Sequence, residues 1–162
     1  LRDIELFEDR WKAREYLIRL LSRRDHSELE LLQKGGKKGY PVAILRTIID
    51  ELKDKAYINN LEFARKFVSD KFRLSNWGSQ KIRMHLKQKG ITSSEIQQAL
   101  AVIGTEDQTE KMRLLLQKNT PRFLRTTKEK RRKKIFDFLL RKGYASSDIQ
   151  EHLDSFITEL NL

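Results

Sequence analysis

The chain has 162 residues, with 34 Lys+Arg against 23 Asp+Glu (net charge +11), 38% apolar residues and no cysteine. This length and apolar content suffice for a buried core, while the missing cysteine excludes disulfide frameworks, thiolate catalysis and Cys-ligated zinc or iron–sulfur sites. No apolar run reaches a membrane-spanning length and the charged first ten residues do not read as a signal peptide, so a soluble, cytoplasmic chain with an anionic partner is expected.

Ala13, Tyr16, Leu17, Leu20 and Leu21 recur at the spacing of one buried helical stripe and predict a first helix. Ser27-x-x-Glu30 reads as the capping box of a second helix, carrying Leu31 and expected to stop at Lys34-Gly35. A Gly- and Lys-rich insertion then delays a third helix until Pro41, which suits a first helical turn, and Leu45, Ile48, Ile49 and Leu52 form its buried stripe. Phe63, Ala64, Phe67 and Val68 predict a fourth helix, and Ile82 and Leu86 a fifth that ends at Lys89-Gly90. Thr92-x-x-Glu95 caps a sixth helix bearing Ile96 and Leu100. Thr126-x-x-Glu129 is expected to cap the helix that carries Ile135, Phe138 and Leu139 to Lys142-Gly143, and Ile149, Leu153, Phe156, Ile157 and Leu160 mark the last.

An internal repeat orders these elements. Residues 89–100 align without gaps on residues 142–153, with seven of twelve positions identical, and Lys81, Ile82 and Leu86 match Lys134, Ile135 and Leu139 upstream. With Lys34-Gly35 taken as a weaker first copy, the period is roughly fifty residues. The fold expected is all-α, with three tandem three-helix repeats over 1–57, 58–104 and 105–162 stacked as one continuous, elongated and curved array. Strand alternation and hairpin turns are absent from the sequence.

Charge is segregated along this array. Residues 65–90 carry +7, and residues 111–142 carry thirteen basic against two acidic side chains, whereas 91–110 and 143–162 each carry −4. Lys130, Lys134 and Arg141 lie near one face of a helix, and the repeat sets Lys81 level with Lys134 and Lys89 level with Lys142. Stacked repeats would line such positions into a stripe able to follow a phosphate backbone or an acidic protein groove. The stripe comprises Lys81, Arg83, Lys87, Lys89, Arg122, Arg125, Lys128, Lys130, Arg131, Lys133, Lys134, Arg141 and Lys142. Trp77, Phe72 and Phe123 are aromatic side chains that could stack on bases if exposed.

Nothing comparable points to catalysis. His26, His85 and His152 lack metal-ligand spacing and read as surface or packing residues. Gly35 to Gly39 has the composition of a phosphate loop without G-x-x-x-x-G-K-[ST] or a preceding strand. Asp50-Glu51 and Glu106-Asp107 are explained by helix starts and surfaces. No enzyme activity, cofactor or metal is expected.

The motifs resemble the RecX regulators of the bacterial RecA recombinase. The likeness is carried by Ala13-x-x-Tyr16-Leu17, Arg24-x-His26-Ser27-x-x-Glu30-Leu31, Tyr57-Ile58-Asn59-Asn60-x-x-Phe63-Ala64, Gly78-x-x-x-Ile82-x-x-x-Leu86-x-x-Lys89-Gly90-Ile91 and Phe138-Leu139-x-x-Lys142-Gly143-Tyr144. Departures are Asn59-Asn60 where the family usually has two aspartates, Ala56 in place of a usual glycine, and a longer first-repeat loop. The resemblance implies a monomeric crescent of three-helix repeats in the groove of the RecA–single-stranded DNA filament, with possible direct phosphate contacts and no membrane association. It implies restraint of RecA's ATP hydrolysis, strand exchange and coprotease activity, and hence a part in the SOS response, with no catalytic residue of its own. Two other readings of the residues stay open: a DNA-binding transcription regulator, and a basic helical protein for nucleic acids or acidic proteins in general.

Overall fold

A computed structural model describes the backbone of residues 2–162 and the side chains of residues 8–162. The described residues form nine helices and no strand: α1 (Arg2–Leu21), α2 (Glu28–Lys37), α3 (Val42–Asp54), α4 (Asn60–Arg73), α5 (Ser79–Gln88), α6 (Ser93–Leu100), α7 (Thr105–Leu124), α8 (Lys128–Lys142) and α9 (Ser146–Glu159). They gather into two compact bodies, residues 1–65 with 86–96, and residues 66–85 with 97–162. The divisions fall inside α4, α5 and α6.

In the first body α1, α2 and α3 enclose Ala13, Leu17, Leu31, Leu45, Ile48, Ile49 and Leu52, the stripes expected from the helical spacing. The Ser27 box closes as anticipated, Glu30 N–H donating to Ser27 Oγ (3.2 Å) and Ser27 N–H to Glu30 Oε2 (3.4 Å). The same exchange joins Thr92 and Glu95 at the start of α6. Burial holds the His26 imidazole below its ordinary pKa, and the ring nitrogen Nδ1 lies 2.9 Å from the Arg24 carbonyl. Pro41 is the N-cap of α3, one place ahead of the first helical turn.

The first repeat copy is displaced by one helical turn from the place the sequence suggests. Lys34-Gly35 does not end α2; the helix continues through Gly36 to Lys37, and the left-handed residue is Gly39, with φ 99°. The residue after it, Tyr40, donates to the Gly35 carbonyl (3.1 Å), as Ile91 donates to Leu86 (3.1 Å) and Tyr144 to Leu139 (3.3 Å). Gly39, Gly90 and Gly143 are therefore equivalent stops of one Schellman-like form, and no insertion is needed. Gly35 then stands where the later copies have the buried Leu86 and Leu139. A Cβ there would lie 2.5 Å from Leu45 Cδ2, so the glycine admits the α3 side chain that takes up that space.

Two of the family departures have local explanations. Asn59 Oδ1 accepts from the Glu62 N–H at the start of α4, and Asn60 bridges to Glu28 in both directions, accepting from its N–H and donating to its carboxylate at 3.1 Å each. An aspartate at 60 would lack that donor. Ala56 sits at φ 58°, in the left-handed region, with the Tyr57 N–H reaching back to the Leu52 carbonyl at 2.8 Å. Ala56→Gly should therefore stabilise the chain by about 1 kcal/mol, because the native conformation costs an alanine roughly that much. A denaturant melt of the full chain, showing a higher midpoint at an unchanged slope, checks it.

In the second body α7, α8 and α9 bury Met112, Leu115, Leu116, Phe123, Ile135, Phe138, Leu139, Tyr144, Ile149, Leu153 and Phe156. Leu139 and Leu86 are fully buried, as are Ile149 and Ile96, in keeping with their repeat positions. The N-cap of α8 is Thr127 rather than Thr126; the Thr126 hydroxyl instead lies 3.1 Å from Lys134 Nζ. The start of α5 is joined to the end of α8. Gly78 N–H donates to the Lys142 carbonyl (2.8 Å) and Gln80 N–H to the Gly143 carbonyl (3.0 Å), so donors orphaned at one helix start meet acceptors orphaned at another helix end.

Candidate functional site

Of the thirteen basic positions singled out, Lys87 and Lys89 belong to the first body and the other eleven to the second. In the first body Lys87 is exposed, whereas Lys89 reaches back to the Glu30 carboxylate at 2.5 Å. Burial opposes the charged form of Glu30, but hydrogen bonds from Lys89 and Arg24 outweigh it and hold its carboxyl below the usual range. Lys89 thus ties the turn after α5 to the start of α2.

In the second body Lys81 Nζ lies 4.5 Å and Lys71 Nζ 5.0 Å from the Trp77 ring centre, with the His85 ring 4.6 Å away. Trp77 is a half-buried indole already engaged by cations. Phe72 is half-buried with Lys111 Nζ 5.7 Å from its ring. Phe123 is not exposed for base stacking: it is a core residue, edge-on to Phe138 with ring centres 5.5 Å apart. An aromatic at a helix end covers the core more readily than it remains in water.

The basic block sorts by what each side chain touches. Arg131 turns inward and donates to the Thr126 carbonyl (2.9 Å). Lys133 pairs with Asp137 at 2.9 Å. Arg125, Lys128 and Lys130 are exposed, Arg83 and Lys142 half-buried. Arg122, Lys134 and Arg141 come together around a cleft of about 240 Å³, lined also by Phe123, Thr126, Asp137 and Phe138. The Arg122 guanidinium lies 5.8 Å from the Phe138 ring centre.

Helical offsets anticipated the shared face of Lys134 and Arg141, and Asp137, at three and four residues from them, was legible by the same rule. Lys130 shares that face in projection but does not line the cleft. Arg122 and Thr126 were not legible as partners of this face, because only the turn between α7 and α8 brings them to it. Among the described residues no group of His, Asp and Glu side chains is placed to hold a metal ion, and no helix is long and apolar enough to cross a membrane.

Three family models match the chain in order: the first three-helix domain of RecX over residues 13–52, the second over 59–100 and the third over 106–153. The regulatory protein RecX of Prosthecochloris aestuarii is 30% identical over 150 residues, covering 93% of this chain and 97% of that protein. That of Clostridium botulinum (strain Alaska E43 / Type E3) is 33% identical over 142 residues, and the chain spans 66% of its length. Among solved structures, RecX from Lactobacillus salivarius superposes with a TM-score of 0.81 at 25% identity, covering 95% of this chain and 97% of that one. A second regulatory protein RecX gives 0.87 at 26% identity, covering 94% and 77%. With the three domains in order and a relative 30% identical matched over 97% of its length, the chain belongs to the RecX family of regulatory proteins.

Proposed function

We propose that the protein binds the RecA–single-stranded DNA filament in the cytoplasm and restrains RecA's ATPase, strand-exchange and coprotease activities, without catalysis of its own. Family membership supports the recombinase as partner, and the distribution of charge supports an anionic surface as its target. The observation that carries the reading is the concentration of basic side chains in the second body, where Arg122, Lys134 and Arg141 border one cleft. A positive surface of this kind raises the rate of encounter with a polyanion and adds salt-dependent affinity.

The test is RecA's DNA-dependent ATP hydrolysis with increasing amounts of the protein. Hydrolysis should fall at near-stoichiometric or lower ratios, while the protein alone hydrolyses neither ATP nor DNA. If saturating protein leaves both hydrolysis and strand exchange unchanged, the reading is wrong for this chain.

A further inference from the structure

We propose that the cleft between the end of α7 and α8 is a phosphate site that takes a backbone phosphodiester of single-stranded nucleic acid. The second body would then touch the nucleic acid itself. This deepens the filament reading and rests on it for its setting, but it can be tested without the recombinase.

The donors converge from three pieces of chain. Arg122 comes from the last turn of α7, the Thr126 hydroxyl from the connecting turn, and Lys134 and Arg141 from one face of α8, two turns apart. Packing against Phe138 limits the freedom of the Arg122 guanidinium, so less side-chain entropy is lost when it binds. Lys134 Nζ donates to Thr126 Oγ1 at 3.1 Å, which leaves the hydroxyl proton free to point into the cleft.

The charge balance favours an anion. Three cations border the cleft against one carboxylate, Asp137, and that carboxylate already accepts from Lys133 at 2.9 Å. Among the described residues none of Arg122, Lys134 and Arg141 is paired with a carboxylate. Their charges are therefore not neutralised by an acidic side chain of the same body.

The shape favours phosphate over a protein carboxylate. A single arginine fork satisfies a planar carboxylate, whereas donors on several sides suit the tetrahedral oxygens of a phosphodiester. The cleft of about 240 Å³ is also lined by the largely buried Phe123 and Phe138.

The experiment measures binding of a fluorescein-labelled oligothymidine by anisotropy across a salt series, with no recombinase present. Arg122→Ala, Lys134→Ala and Arg141→Ala are combined in one variant. A control variant combines Arg73→Ala, Lys118→Ala and Arg132→Ala, which removes equal charge from exposed positions of the same body that do not line the cleft. The cleft variant should bind at least about tenfold more weakly, with a log–log salt slope shallower by roughly 2, or about 0.7 per lost contact, and the control should change less than about threefold. Should the triple variant fail to fold, the three single substitutions carry the test, each flattening the slope by roughly 0.7.

Equal losses in both variants, an unchanged slope, or no binding of the oligonucleotide by the wild type would overturn the assignment. So would polyglutamate that displaces the oligonucleotide charge for charge and itself loses binding in the cleft variant, since the cleft would then be a carboxylate site. The ATPase assay can fail while this binding stands, and the reverse, so the two readings are separable.

Discussion

Gly143→Ala should cost about 3–5 kcal/mol, far more than the same change at the equivalent glycines of the other repeats. All three hold positive φ, 99° at Gly39, 76° at Gly90 and 95° at Gly143, and each loses about 1–2 kcal/mol for placing an alanine there. Their surroundings then separate them. A Cβ on Gly39 meets nothing within 4 Å, so Gly39→Ala should cost only the conformational amount. On Gly90 it would lie 2.8 Å from Leu29 Cβ, and α2 must yield slightly. On Gly143 it would lie 2.2 Å from Lys81 Cβ and 2.7 Å from the Lys81 backbone nitrogen. Relief there requires the start of α5 to part from the end of α8. That sacrifices the bonds from Gly78 and Gln80 to the Lys142 and Gly143 carbonyls, each contributing about 1 kcal/mol. Urea unfolding of the three full-length variants checks the order Gly39 < Gly90 < Gly143. Equal losses at all three would mean that backbone conformation alone matters and that the close approach of α5 to the α8–α9 turn contributes nothing.

Neutralising Lys130, Lys133, Lys134 and Arg141 together should weaken binding to the RecA filament by about tenfold or more at moderate salt, because several phosphate or carboxylate contacts would go at once. Stability should hardly move. All four are exposed, and the Lys133–Asp137 pair is a surface pair on one helix, contributing about 0.3–0.5 kcal/mol. The matched control removes four charges from the nearly neutral first repeat, at Arg19, Lys37, Lys38 and Lys55. Lys53 would not serve in such a control, because its Nζ donates to Glu28 at 2.9 Å and its loss would disturb the start of α2. Co-sedimentation with the filament at two salt concentrations, alongside thermal melts, separates the outcomes. Comparable losses from both quadruple variants would show that net charge suffices and that the α8 face is no particular site.

How much of this was legible in the amino-acid sequence follows from the range over which each feature is decided. The all-α class, the Ser27–Glu30 and Thr92–Glu95 caps, the stops at Gly90 and Gly143, and the buried Leu86, Leu139, Ile96 and Ile149 were all readable. Each depends on neighbours within one or two helical turns, where spacing and side-chain chemistry suffice. The first repeat was misplaced by a turn because Lys34-Gly35 matches the local signal of a helix stop. The fit of Leu45 from α3 gives that glycine its place within α2, and no local rule contains that contact.

The same division runs through the candidate site. That positive charge concentrates on α8, and that Lys134 and Arg141 share a face, follows from composition and a period of 3.6 residues. Which of the basic residues face a common space depends instead on how the helices pack. Lys89 is drawn to a glutamate 59 positions away and Arg131 to the carbonyl of Thr126, while Arg122 joins Lys134 and Arg141 across the α7–α8 turn. The reason is physical: a lysine or arginine side chain is long and flexible, and where its charge comes to rest depends on acceptors brought near by packing rather than by sequence.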